Sequence, residues 1–257
     1  MTAACPFIWY DVMVKDLTAA TAFYGEVVGW QIVDAGMPGM KYSILKANGI
    51  DVGGMMEMPA DAAARSAPSL WTGYIYVPDV DKAVKAVTRK GGSICQPPQD
   101  IPGVGRFAVV MDPHGAVFQL FTPGSSEGQA EVAPGTPGHI GWRELHAGDG
   151  PEAWKFYSSL YGWTKGDALD MGDLGVYQLF STGGPDNAGG MMTKMADTPD
   201  ALWLYYFNVE AIDAAVARVA AAGGKVVMGP HEVPGGQWVI QGFDNQGIMF
   251  ALVAPRR

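Results

Sequence analysis

Glu144 and His146 stand two residues apart in the segment Gly141-Trp142-Arg143-Glu144-Leu145-His146. In an extended strand that spacing sends both side chains to one face, where a carboxylate beside an imidazole makes a general acid/base pair or the start of a metal site. The competing reading is a solvated Glu–His pair near the end of its strand. A segment of the same design runs from Phe7 to Val14, where Phe7, Trp9, Asp11 and Met13 alternate with Ile8, Tyr10, Val12 and Val14. Asp11 takes the place of Glu144, and Met13 that of His146. Burying a carboxylate without a partner is costly. Arg106 and Arg143 are the candidate partners, although Arg143 is expected to point away from Glu144.

Other groups of reactive type fall in less suggestive places. His114 lies in the turn Asp112-Pro113-His114-Gly115, His139 just before a strand, and His231 after Gly229-Pro230; all three are expected to be solvated loop residues. Pro102-Gly103-Val104-Gly105 and Pro234-Gly235-Gly236 read as hairpin turns, because neither leads from a strand into a helix N-terminus as a phosphate loop does. Gly-Gly-Met-Met occurs at 53–56 and again at 189–192, a pattern expected to mark close strand contact and core filling, since thioethers alone would not hold a hard divalent ion. Cys5 and Cys95 share no metal or redox spacing, and with no signal-peptide layout a reducing cytoplasm is the expected location.

The elements that must position these residues repeat. Trp9 to Tyr24 and Trp142 to Tyr157 both span fifteen residues, and Trp71-to-Val77 matches Trp203-to-Val209 at a constant offset of 132. Each half of the 257-residue chain reads as two copies of strand, helix and three strands. The helices are expected at 17–28, capped by Asp16, at 80–90 after Asp79, at 151–161 with Pro151 in the first turn, and at 211–222. Strands are expected at 30–33, 41–46, 51–58, 93–96, 106–111, 116–122, 163–166, 176–181 and 188–192, besides those opening each unit. A Pro/Ala loop is expected at 59–69. The Gly/Pro/Ser/Glu-rich stretch at 123–138 reads as a linker between domains 1–122 and 139–257.

Bulk properties narrow the function. A formal charge of -9 opposes a polyanionic partner, so no nucleic-acid role is expected. No apolar run reaches eighteen residues, which argues against a membrane role.

Paired βαβββ units with an Asp-Leu helix start, a Phe-Tyr within that helix, a Gly-Trp after it and a closing Asp-Pro-x-Gly turn and strand resemble the vicinal oxygen chelate superfamily. That group holds the glyoxalases, bleomycin resistance proteins and extradiol dioxygenases; the tandem two-domain glyoxalase-like type is the most similar. The resemblance implies an α+β fold of four βαβββ units forming two domains with curved mixed sheets. It also implies positions for divalent-metal ligands. Those positions fall on Trp9 and Trp142, on Thr72 and Leu204, and on Gln119 and Ala251, with Glu57 or Thr193 as a possible fourth. Three such ligands are usual for a catalytic divalent site, so no metal site and no cofactor are expected, a divalent metal being the disfavoured alternative.

With the family's parity the first cavity would be lined by Trp9, Asp11, Met13, Thr72, Tyr74, Tyr76 and Gln119, the second by Trp142, Glu144, His146, Leu204, Tyr206, Asn208 and Ala251. Aromatic walls with a few polar groups suit a planar or amphipathic organic ligand; they also suit a merely filled sheet. The expected ligand-binding residues are Trp9, Asp11, Thr72, Tyr74, Tyr76, Gln119, Trp142, Tyr206 and Asn208, with Glu144 and His146 as the acid/base pair. The expected function is binding of a small organic molecule by a monomer or homodimer. The alternative is an enzyme, a glyoxalase-like lyase or a dioxygenase-like oxidoreductase, using relocated groups.

Overall fold

The computed structural model describes residues 4–59, 68–125 and 132–257. The expected loop therefore lies outside the described residues over 60–67, and the expected linker over 126–131. The first half holds β1 (Phe7–Val14), α1 (Leu17–Val28), β2 (Gln31–Asp34), β3 (Tyr42–Ala47) and β4 (Ile50–Glu57), then β5 (Trp71–Tyr76), α2 (Val80–Arg89), β6 (Ser93–Ile101), β7 (Gly105–Met111) and β8 (Val117–Pro123). The second half repeats the order with β9 (Ile140–Ala147), α3 (Gly150–Tyr161), β10 (Thr164–Asp170), β11 (Val176–Ser181) and β12 (Gly189–Thr193), then β13 (Leu202–Asn208), α4 (Ile212–Ala221), β14 (Lys225–Val233), β15 (Gln237–Phe243) and β16 (Met249–Ala254). The fold is α+β, with four βαβββ modules and two mixed sheets ordered β2-β3-β4-β1-β5-β8-β7-β6 and β10-β11-β12-β9-β13-β16-β15-β14.

Local chemistry sets the helix boundaries. Asp16, Asp79 and Asp149 each accept a hydrogen bond from the backbone N–H three residues on, at 2.9, 2.9 and 2.8 Å, satisfying donors that the first turn leaves without a partner. Gly29 and Gly162 end α1 and α3 in the left-handed conformation. Two strands run longer than their composition suggests. β6 continues through Pro97-Pro98 to Ile101, with its register against β7 shifting between Gln96 and Gln99. β14 likewise carries Pro230 and shifts between Met228 and His231. Both are edge strands, where a missing N–H costs no ladder bond. His231 therefore belongs to a strand and not to a loop.

By packing, the chain forms two compact units, each taking one module pair from different halves. One comprises Met1–Ile8, Thr72–Gln129 and Arg143–Trp203; the other comprises Trp9–Trp71, Ala130–Trp142 and Leu204–Arg257. In the first, Tyr157 of α3 lies parallel to Trp163, with centroids 5.4 Å apart, and Trp163 stacks on Phe180 at 4.7 Å. Trp203 Nε1 donates to Tyr157 Oη at 3.0 Å, and Tyr157 Oη donates to Asp112 Oδ2 at 3.2 Å. Asp112 Oδ1 accepts the backbone N–H groups of His114 and Ala116 and so ties the β7–β8 turn.

The second unit builds the same chain from the other modules. Trp71 Nε1 donates to Tyr24 Oη at 2.9 Å, Tyr24 Oη donates to Asp244 Oδ2 at 3.1 Å, and Asp244 Oδ1 takes the N–H groups of Gln246 and Ile248. Around it Trp30, Trp71, Phe207 and Phe250 close the core. Each chain thus joins a helix of one half to a turn of the other. The Phe-Tyr, Gly-Trp and Asp-x-x-Gly motifs are the parts of this arrangement.

Burial raises the pKa of both Asp112 and Asp244 above the ordinary carboxylate value, outweighing the N–H and O–H donors that act to lower it. A folded-state pKa above the unfolded one means that the contribution to stability is full below the unfolded pKa and is lost as pH rises through the folded pKa. Wild-type protein should therefore gain stability relative to Asp244→Asn when urea unfolding is moved from about pH 7 to about pH 4, where unfolded aspartate titrates. A difference that grows in the opposite direction would show that the charged form is the one the core favours.

Candidate functional site

In the second unit, three strands build one polar cluster. Asp11 on β1 is registered against Gly54 on β4, and Gly54 against Ile44 on β3. Tyr42, diagonal to Gly54 on the same face, extends across β4 and donates its hydroxyl to Asp11 Oδ1 at 2.9 Å. Trp9 Nε1 donates to the same oxygen at 2.8 Å and lies 3.1 Å from Tyr42 Oη. Asp11 is 4% exposed. Both donors hold its charge in place of water, which answers the cost of burying it. A Cβ at position 54 would collide with Tyr42 Oη and Asp11 Oδ1. The glycine is what lets a ring pass over the intervening strand.

The first unit repeats this geometry with a different product. Glu144 on β9 is registered against Gly190 on β12, and Gly190 against Leu179 on β11. Tyr177 crosses Gly190 and donates to Glu144 Oε2 at 2.8 Å, and a Cβ at 190 would strike the Tyr177 ring. Glu144 Oε1 lies 2.8 Å from His146 Nε2. Both side chains of this pair are 12% exposed, so they are sheltered without being sealed. Where His146 faces this carboxylate, the other repeat has Met13.

The Gly-Gly-Met-Met motifs are explained by the same strands. Gly53 and Gly189 face the backbone carbonyls of Tyr10 and Arg143 too closely for any Cβ, while Met55 and Met191 are buried in the core. Close contact and core filling both occur. The second glycine of each pair has the further role of admitting Tyr42 or Tyr177.

Among the remaining candidate residues, Thr72, Tyr74 and Gln119 are buried on one face of β5 and β8, and Tyr76 is half-buried beside them. Gln119 Nε2 donates to Thr72 Oγ1 at 2.7 Å, and Tyr74 meets the edge of Phe121 at 6.0 Å. On β13, Tyr206 accepts a bond at 2.8 Å from Gln241 Nε2 of β15. Asn208 is buried so close to Gly141 that no Cβ would fit between them. Trp142 is half-buried; Leu204 and Ala251 are buried apolar positions. Glu57 turns to solvent and pairs with Lys41 at 2.8 Å. The guanidinium of Arg106 is taken by Asp81 and Asp100, and that of Arg143 donates to the Ala188 carbonyl.

His114 stays in its turn, paired with Glu152 at 3.2 Å. His139 is not solvated as expected: its Nε2 is buried with no hydrogen-bond partner, and burial lowers its pKa. Sequence reasoning missed Tyr42, Tyr177 and Gln241. The signal for the two tyrosines was the recurrence of glycine in register with each inward acid. Among the described residues, no group of three or more His, Cys, Asp and Glu is arranged to hold a metal ion, and no helix is long and apolar enough to cross a membrane.

The glycine crossing gives a direct test. Gly190→Ala should displace the Tyr177 ring and destabilise the protein by about 1–3 kcal/mol, the usual cost of overpacking. Most of that loss should disappear in a Tyr177→Ala background, as measured by a double-mutant cycle on urea unfolding. Additive costs would mean that ring and glycine are not in contact.

The family model of the Glyoxalase/Bleomycin resistance protein/Dioxygenase superfamily matches residues 7–120 and again 137–252. CFP32 of Mycobacterium tuberculosis, which carries a provisional glyoxylase name, is 32% identical over 250 residues, covering 96% of this chain and 94% of the relative. The anthracycline biosynthesis protein DauV of a Streptomyces species is 31% identical over 263 residues, covering 96% and 92%. Among solved structures, the Mn(II)-bound glyoxalase from Novosphingobium aromaticivorans superposes with a TM-score of 0.65 at 18% identity, over 98% of this chain and 82% of that one. With the model matched in both halves and relatives aligned almost end to end, the chain belongs to the glyoxalase/bleomycin resistance protein/dioxygenase superfamily.

Proposed function

We propose that this protein binds a small organic molecule, aromatic or amphipathic, and does so without a divalent metal. The observation that carries this reading is the pair Glu144–His146, bonded at 2.8 Å and each 12% exposed. A solvated surface pair would stand in bulk water, and a core pair would be sealed. Polar groups sheltered on a sheet face with aromatic neighbours match the usual make-up of small-molecule sites, in which apolar walls supply area and a few polar atoms fix orientation. Trp9, Asp11, Thr72, Tyr74, Tyr76, Gln119, Trp142, Tyr206 and Asn208 are the proposed supporting residues; Asn208, packed on Gly141, would act by shaping the strand.

The superfamily's metal does not fit the donors at its usual positions. An indole N–H cannot ligate, and the Trp9 indole already donates to Asp11. The Gln119 amide nitrogen donates to the Thr72 hydroxyl, so these two positions offer an amide oxygen and a hydroxyl, and Leu204 and Ala251 offer no donor atom, short of the three strong ligands a catalytic divalent site needs. A relative named for anthracycline biosynthesis makes planar polycyclic hydroxyquinones a reasonable ligand class to try. The same Glu144–His146 pair favours a second reading, acid/base catalysis on the bound molecule, as in a glyoxalase-like lyase or a dioxygenase-like oxidoreductase working without the usual ligand set.

Protein purified without chelator should carry substoichiometric Mn, Fe, Ni and Zn by elemental analysis. Addition of an anthracycline should quench its tryptophan emission saturably, and chelator should leave that titration unchanged. A stoichiometric divalent metal whose removal abolishes the quenching would overturn the proposal.

A further inference from the structure

The hydrogen bonds of the β9 cluster assign different roles to its members. An ionised carboxylate is acceptor-only, and Glu144 receives the Tyr177 hydroxyl on Oε2 and the His146 ring on Oε1. In the neutral form of the ring, the hydrogen facing that carboxylate resides on Nε2, which leaves Nδ1 with a lone pair. Among the described residues no group bonds to Nδ1. The neighbour of His146 in register on β12 is Met192, a thioether that offers that nitrogen no hydrogen. This is the arrangement of a base oriented through its second nitrogen by a carboxylate that is itself anchored.

We propose that His146 Nδ1 is a proton acceptor for an acidic hydroxyl on a bound aromatic molecule. Glu144 orients the ring and stabilises the imidazolium that forms, and Tyr177 is a positioning residue that fixes Glu144. The proposal rests on the small-molecule binding proposed above and deepens it by naming the ligand's functional group. The O–H bond of the ligand breaks, its electron pair stays on oxygen, and an N–H bond forms at Nδ1; no oxidant or further reactant is needed. A neutral hydroxyl suits the site better than an anion, because a neutral imidazole beside an ionised Glu144 carries a net negative charge. The first repeat lacks this capacity. There Met13 stands in the place of His146, and Asp11 is held by Trp9 and Tyr42.

4-Nitrophenol is a suitable probe, since its ionised form absorbs in the visible. Below the dye's own pKa, binding to the wild-type protein should raise the phenolate absorbance, and nitrogen NMR of the free protein should show His146 protonated on Nε2. The methyl ether, 4-nitroanisole, should bind about tenfold more weakly, the equivalent of one hydrogen bond. His146→Gln should still bind the dye but leave it un-ionised. Glu144→Gln, which retains an acceptor for His146 and a partner for Tyr177, should lower the ionised fraction of bound dye. Dye that binds wild-type protein and stays neutral, equal affinity for the methyl ether, or an Nδ1–H ring in the free protein would each overturn the assignment while leaving binding intact. Absence of any dye or anthracycline binding would instead remove the binding reading, and the assignment with it.

Discussion

Tyr24 and Tyr157 each receive an indole N–H and pass a hydroxyl hydrogen to an aspartate that holds a turn of the other half of the chain. Every atom in these two chains is inside an aromatic core, where an unsatisfied donor or acceptor costs more than a satisfied one contributes. Removing the tyrosine would take this bond from a buried indole N–H, and removing the aspartate would take one from the buried N–H of Ala116 or Ile248. That constraint links α1 to the β15–β16 turn and α3 to the β7–β8 turn. It explains why each compact packing unit combines modules from different halves of the chain. The helices and turns so fixed hold the backs of the strands whose other faces carry the polar clusters.

On those faces the two repeats share a design and differ in its outcome. Each places an acid opposite a glycine, and each sends a tyrosine over that glycine to the acid. A ring can reach an acid two strands away, across a gap of about 10 Å, only when the middle strand has no side chain in the way. Asp11 is short and is held by Trp9 and Tyr42. Glu144 is longer by one methylene and bonds to Tyr177 and His146. The first cluster contains a buried carboxylate bonded to Trp9 and Tyr42, and the second adds an imidazole bonded through Nε2. The two copies of the module thus differ in carrying Met13 or His146 beside the acid.

Much of this was legible in the residues themselves. The four modules, the caps at Asp16 and Asp79 and the alternation that brings Glu144 and His146 to one face follow from local rules with a single physical cause each. β6 and β14 were less legible because Pro97, Pro98 and Pro230 end a strand by local rules, whereas an edge strand tolerates them. His139 was misjudged because its burial depends on tertiary packing. Tyr42 and Tyr177 each lie more than thirty residues from the acid they bind, a distance that only strand order and register can close. The interlocking of the halves was invisible for the same reason: Tyr24 and Asp244 look like two separate motifs until the core brings them together.

The most direct test of metal-independent binding at the β9 cluster is the anomalous diffraction map of a crystal soaked with a brominated naphthol. The account predicts a bromine peak beside Glu144, His146 and Tyr177, with the naphthol oxygen within hydrogen-bonding distance of His146 Nδ1 and no metal peak at the site. A bromine peak confined to a surface away from both polar clusters, or a metal ion coordinated between the ligand and the protein, would contradict it.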